Sequence, residues 1–171
     1  LKSHLDYARD MFLFSFYTRG MSFIDMAYLK KSDLKNGTIT YRRRKTGQQL
    51  TVKWEKCMED IIAKYGENTA TRYLLPIITN PCSDERTQYR NAICRINVAL
   101  KEVAGLAGLN IPLTMHVARH CWASVAKSKN IPLSVISEGM GHDSEETTRI
   151  YLASLDTSVV DKANSLILKD F

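Results

Sequence analysis

Two spacings of apolar residues alternate along this chain. Leu5, Ala8, Met11 or Phe12, and Ser15 or Phe16 recur at helical intervals, which predicts a largely buried helix from Leu5 to Tyr17. Thr18-Arg19-Gly20-Met21-Ser22 interrupts it, and Ser22 is placed to cap a second helix over Phe23–Lys30, with Asp25 at its third position. Period two then takes over. Thr38 to Arg44 and Gln49 to Trp54 alternate like strands, between the turn signals Asn36-Gly37 and Lys45-Thr46-Gly47-Gln48. This predicts a small antiparallel hairpin or a three-stranded sheet.

Helical spacing returns with Glu55–Tyr65, which stops at Gly66. Thr71–Ile78 is a short apolar segment suited to the core, ended by Asn80-Pro81. Ser83-Asp84-Glu85 starts a long helix to about Ala107, with Tyr89, Ile93, Ile96, Leu100 and Val103 as its buried stripe. Thr114 caps a helix carrying His116 and Arg119; Ile131-Pro132 leads into Leu133–Glu138, ended by Gly139. Thr147–Ala153 holds Tyr151, and Thr157–Leu168 is a last amphipathic piece. The fold class expected is mainly α with a small antiparallel β-sheet (α+β), in one domain spanning residues 1–171 without internal repeats.

Composition narrows the partners more than the fold. Of 171 residues, 24 are Lys or Arg against 18 Asp or Glu, a net charge of +6 that favours a polyanion. Nothing resembles a membrane span, a basic amphipathic membrane helix or a signal peptide, so the expectation is a cytoplasmic protein with no membrane partner. Cys57, Cys82, Cys94 and Cys121 form no close pairs, which reads as free thiols without a metal site. The chain opens in mid-helix without an initiator Met, as a fragment lacking an N-terminal portion would.

The chemistry concentrates between Thr114 and Tyr151. Cleaving a phosphodiester without a metal or other cofactor requires fixed cations for the non-bridging oxygens, an in-line nucleophile and a proton donor for the leaving oxygen. Arg19, Lys45, His116, Arg119, His142 and Tyr151 supply those groups. His116 and Arg119, three apart, share a helix face. Each has a plainer reading: a capping or core histidine, an ion-paired arginine, a turn at Gly141-His142-Asp143-Ser144, a half-buried tyrosine. The cations Arg42-Arg43-Arg44-Lys45 serve either edge protection or phosphate contact, and four without an acid favour phosphate.

Taken together, these residues resemble the catalytic domain of tyrosine recombinases, the phage-integrase family. Thr114-x-His116-x-x-Arg119-His120 is similar to the family's His-x-x-Arg box. Met140-Gly141-His142-Asp143-Ser144 and Thr147-Thr148-Arg149-Ile150-Tyr151 resemble its Leu-Gly-His and Thr-x-x-Tyr ending, and Lys45 its hairpin lysine. The likeness spans about Leu5 to Ala153. It departs at the first arginine, which the family writes three residues before an acid. Before Asp25 that place holds Ser22, and Arg19 lies a further three residues upstream. Arg19 is taken as the first arginine, reaching the pocket if the segment is helical and presents Arg19 and Ser22 on one face; otherwise another cation compensates.

The resemblance implies site-specific recombination of double-stranded DNA through a 3′-phosphotyrosyl link to Tyr151. It also implies a homotetramer on two DNA sites, a separate N-terminal core-binding domain, and a C-terminal segment, Thr157–Phe171, suited to docking on a neighbour or on its own domain. Relaxation of supercoils in the manner of type IB topoisomerases, and DNA binding without catalysis, are the alternatives.

Overall fold

The computed structural model describes residues 2–66 and 70–153. The expected helix over Thr157–Leu168 and its docking role fall outside the described residues. The chain forms two compact units, Leu1–Trp122 and Ala123–Phe171.

In the first unit, α1 (Ser3–Tyr17) buries Leu5, Ala8, Met11 and Phe14, the helical spacing expected of it. It packs on α4 (Glu85–Leu106) and α3 (Lys56–Tyr65). Leu5, Met11 and Phe14 each contribute about 1.5–3 kcal/mol by leaving water. The stripe of α4 is centred on Ala92, Ile96, Ala99, Leu100 and Ala104. Of the expected stripe, Ile96 and Leu100 are buried, while Tyr89, Ile93 and Val103 are only partly buried against it. The small alanines let the two helices approach closely, a choice that a reading by hydrophobicity undervalues.

Helix α1 ends where the Thr18 hydroxyl donates to the Phe14 carbonyl at 2.7 Å. Arg19 (φ 61°) and Gly20 (φ 72°) are then both left-handed. The Gly20 N–H reaches the Ser15 carbonyl at 2.8 Å and the Ser15 hydroxyl donates to the Met21 carbonyl at 2.7 Å. This reversal corrects one expectation. Arg19 and Ser22 share no helical face, because the segment between them is not helical. Ser22 does cap α2 (Phe23–Ala27), accepting from the Asp25 N–H. Helix α2 stops short of the expected Lys30, which instead bridges to Tyr73. The Leu74 N–H donates to the Leu29 carbonyl at 2.8 Å, so backbone pairing with the 71–78 segment replaces the last helical turn. Tyr73, Leu75, Ile77 and Ile78 of that segment are buried, as expected.

The sheet takes the three-stranded form, antiparallel in the order β1 (Leu34–Lys35), β2 (Thr38–Arg42), β3 (Gln49–Lys53). Asn36 and Gly37, both at positive φ, make the β1–β2 turn. Ile39 faces Val52 and Tyr41 faces Leu50, and all four point inward. Asp84 caps α4 by accepting the Thr87 N–H at 2.7 Å.

Helix α5 (Met115–Ser128) contains the division between the units. In the second unit, α6 (Leu133–Met140) packs on α7 (Glu145–Ala153). Gly139 does not end α6. Met140 is wholly buried and continues the helix, and Gly141, left-handed at φ 63°, closes it. The His142 N–H returns to the Ser137 carbonyl and that of Gly141 to Glu138, the paired bonds of a Schellman turn. Ser144 caps α7, accepting the Thr147 N–H at 3.2 Å, so the helix starts two residues before the expected Thr147.

Candidate active site

Arg119 is the most constrained of the predicted residues. It is 7% exposed, and its Nη1 donates to the Gly20 carbonyl at 2.8 Å. The left-handed turn after α1 presents that carbonyl, and Gly20 has no room for a side chain. A Cβ there would stand 2.8 Å from the Arg119 Cα and 2.9 Å from its Cγ. Arg119 thus lies directly on the reversal that carries Arg19.

Lys45 sits in the β2–β3 turn. Arg43 and Gln48 frame that turn through the Arg43 N–H···O=C Gln48 bond at 2.9 Å, and the Arg42 guanidinium donates to the Gly47 carbonyl at 3.0 Å. His116 is exposed on the first turn of α5. Partial burial of its ring, then the positive charges of Arg119 and Lys45, hold its imidazole below the usual histidine range. His116 is therefore neutral at pH 7 and able to accept a proton. His120 stands edge-on to it, ring centroids 4.4 Å apart, and is lowered likewise by burial, His116 and Arg119.

The inward phenol of Tyr41 marks where the cations meet. Burial raises it above the ordinary tyrosine range and nearby Asp25 raises it further, while Arg119, Arg43 and Arg19 pull it down. Three guanidiniums and a carboxylate thus act on one buried oxygen. Asp25 is 4% exposed; it accepts the Arg44 N–H at 2.8 Å and the Ser22 hydroxyl at 2.6 Å. Those bonds tie the hairpin to the start of α2. Ser22, His116 and Arg119 also line a cavity of about 170 Å³ with apolar neighbours including Met21 and Phe23. A cavity of about 690 Å³ beside α1 and α4 contains none of the predicted residues.

The second unit brings His142 and Tyr151 together. Their ring centroids lie 5.6 Å apart at 71°. His142 Nδ1 shares a 2.8 Å hydrogen bond with the hydroxyl of Thr148, itself wholly buried. The Schellman turn after α6 delivers His142, and the inner face of α7 carries Thr148, Tyr151 and Leu152 at helical spacing.

Thus Arg19, Lys45, His116 and Arg119 collect in the first unit, and His142 with Tyr151 in the second. Sequence reasoning missed Thr148 as the partner of His142, and it left Arg43 unsingled in a run of cations. Inward alternation through Ile39 and Tyr41 was the signal for Arg43. Among the described residues, no three His, Cys, Asp or Glu side chains are grouped to hold a metal ion. Nor is any described helix long and apolar enough to cross a membrane.

The model of the phage integrase family matches residues 3–158. Among solved structures, the chain is similar to XerH recombinase in a post-cleavage complex with its palindromic difH substrate, at 19% identity and TM-score 0.67 over 96% of this chain and 47% of that one. It is similar to XerA recombinase at 20% identity and TM-score 0.61, over 94% and 61%. For a lambda integrase dimer bound to a COC′ core site the figures are 18%, 0.61, 88% and 53%. At these identities the likeness shows the fold. The chain spans between 47% and 61% of the length of these three structures. No curated protein matches it in sequence.

Proposed function

The chain belongs to the phage integrase family, and on that premise we propose that it cuts and rejoins duplex DNA at specific sites, with Tyr151 as the nucleophile. The Tyr151 hydroxyl attacks the scissile phosphorus and its proton passes to neutral His116. The bond from phosphorus to the 5′ oxygen breaks, and that oxygen leaves as a hydroxyl carrying a proton from Lys45. Arg19 and Arg119 hold the non-bridging oxygens, and His142 donates a hydrogen bond to one of them. A 5′-hydroxyl from another strand reverses the step and expels Tyr151. One phosphate ester replaces another at each stage, so no cofactor enters. The reading extends to double-stranded DNA as the partner, a homotetramer across two sites, a core-binding domain ahead of this catalytic domain, and action in the cytoplasm.

The observation that carries it is Arg119, a buried guanidinium pinned to the Gly20 carbonyl beside a neutral histidine and the charge of Lys45. Such a group is suited to meet charge that develops on a phosphoryl oxygen. Incubating the full-length protein with a nicked suicide duplex tests the reading. Wild type should form a covalent protein–DNA adduct that Tyr151→Phe does not. No adduct with wild type, across duplexes selected for tight binding, would leave a DNA-binding module instead.

A further inference from the structure

We propose that Thr148 is a positioning residue for His142: its hydroxyl donates to Nδ1 and so keeps the proton of the ring on Nε2, as the donor to the scissile phosphate. The inference rests on the transesterification reading above and adds the group that prepares His142 for its part in it.

Two threonines stand side by side on α7, and their hydroxyls are used differently. Thr147 is exposed, and its hydroxyl lies 3.0 Å from that of Ser144 at the start of the helix. Thr148 is wholly buried, and its hydroxyl lies 2.8 Å from His142 Nδ1. A threonine inside a helix commonly turns its hydroxyl back to the carbonyl four residues earlier. Here, among the described residues, His142 Nδ1 is the one hydrogen-bond partner of the Thr148 hydroxyl.

That single partner decides the direction of the bond. If Nδ1 carried the proton and Thr148 only accepted, the hydroxyl hydrogen would be buried without an acceptor, which is costly. With the hydroxyl donating, Nδ1 accepts, and the proton of a neutral imidazole then sits on Nε2. A ring in that form presents a donor to a phosphoryl oxygen, where the opposite tautomer would present a lone pair. It makes His142 a donor and not a base, which leaves the Tyr151 proton to His116.

The backbone holds the ring to this use. The His142 N–H donates to the Ser137 carbonyl at 3.1 Å, which fixes where the side chain begins. Thr148 and Tyr151, three apart on α7, share a face of the helix. Both meet the imidazole, Thr148 at Nδ1 and Tyr151 edge-on with centroids 5.6 Å apart. The helix that carries the nucleophile therefore also carries the group that orients the histidine, and the two stay in register.

The test measures single-turnover adduct formation on a suicide duplex whose sequence is one on which the wild-type full-length protein forms an adduct. Thr148→Val keeps the branched shape and removes the donor; it should slow adduct formation about 10-fold or more. Thr148→Ser restores the hydroxyl and should recover most of that loss. In a His142→Ala background, Thr148→Val should have no further effect, because the hydroxyl acts only through that ring. Thr148→Ala takes the place of the valine variant if the latter does not fold. A near-normal rate for Thr148→Val overturns the proposal. So does an equal loss in the valine and serine variants, or an undiminished loss in the His142→Ala background, either of which would mark Thr148 as structural. Absence of any wild-type adduct defeats the transesterification reading itself, a separate result.

Discussion

Arg119 Nη1 and the Gly20 carbonyl oxygen lie 2.8 Å apart, joining residues separated by 99 positions in the sequence. The contact depends on a left-handed residue without a side chain. Gly20→Ala would place a methyl group 2.8 Å from the Arg119 backbone and strain a φ of 72°. The expected cost is about 2–3 kcal/mol of stability. Urea unfolding measures that loss, and covalent adduct formation should fall with it as Arg119 is displaced. Unchanged values for both would mean that the turn has slack the geometry does not show.

Arg19 and Ser22 should part ways under mutation. Arg19→Ala removes a charge from the site and should cut the cleavage rate about 100-fold or more. Ser22→Ala removes a helix cap, at about 1 kcal/mol of stability, with only a mild effect on cleavage. Single-turnover cleavage beside thermal melting separates the two, and the opposite ranking would return the phosphate to Ser22.

Acid should weaken the fold through two histidines. Burial and neighbouring cations hold His116 and His120 below the usual histidine range. Unfolded, each takes a proton as the pH falls through about 6.5; folded, each takes it only at lower pH. In that window the unfolded state binds more protons, so stability drops with pH. Urea midpoints should therefore be steady above it and decline below it, and His120→Gln should flatten the decline. A slope that ignores His120 would assign the loss elsewhere.

A second ionic cluster acts in a different window. Asp10 is 3% exposed. Burial raises its carboxyl, but hydrogen bonds from Lys64 (2.7 Å), Tyr65 (2.6 Å) and Arg9 (2.6 Å) outweigh burial and leave it below the usual range. Its contribution is complete above about pH 3.9 and is lost as the pH falls through the lower folded value. Asp10→Ala should cost about 2 kcal/mol, discounted because Lys64 and Arg9 are themselves 39% and 40% exposed. Denaturation at neutral pH measures it, and a cost near zero would make the cluster ornamental.

How far the sequence disclosed this molecule depended on the range of the interactions involved. Helix α1, the hairpin and the capping role of Ser22 were legible because period and caps are local properties. Gly141 was harder. Gly139 offers the same backbone freedom, and only the burial of Met140 decides which glycine ends α6. Joint spacing was what singled out the six candidate residues, but the left-handed backbone of Arg19 was not legible, since it goes with the close fit of Gly20 against Arg119 of α5. Arg43 lay hidden for a different reason. Four adjacent cations look alike until the strand's alternation sends one inward.

Asp25 has a wider consequence. One carboxylate grips the hairpin at the Arg44 amide and the start of α2 at Ser22, only two residues beyond the carbonyl that seats Arg119. The lysine turn and the arginine seat are therefore mounted on a common bracket. Loosening that bracket would shift the proposed proton donor and the proposed charge clamp in the same stroke, so damage at Asp25 should look like the loss of two functions though only one residue has changed.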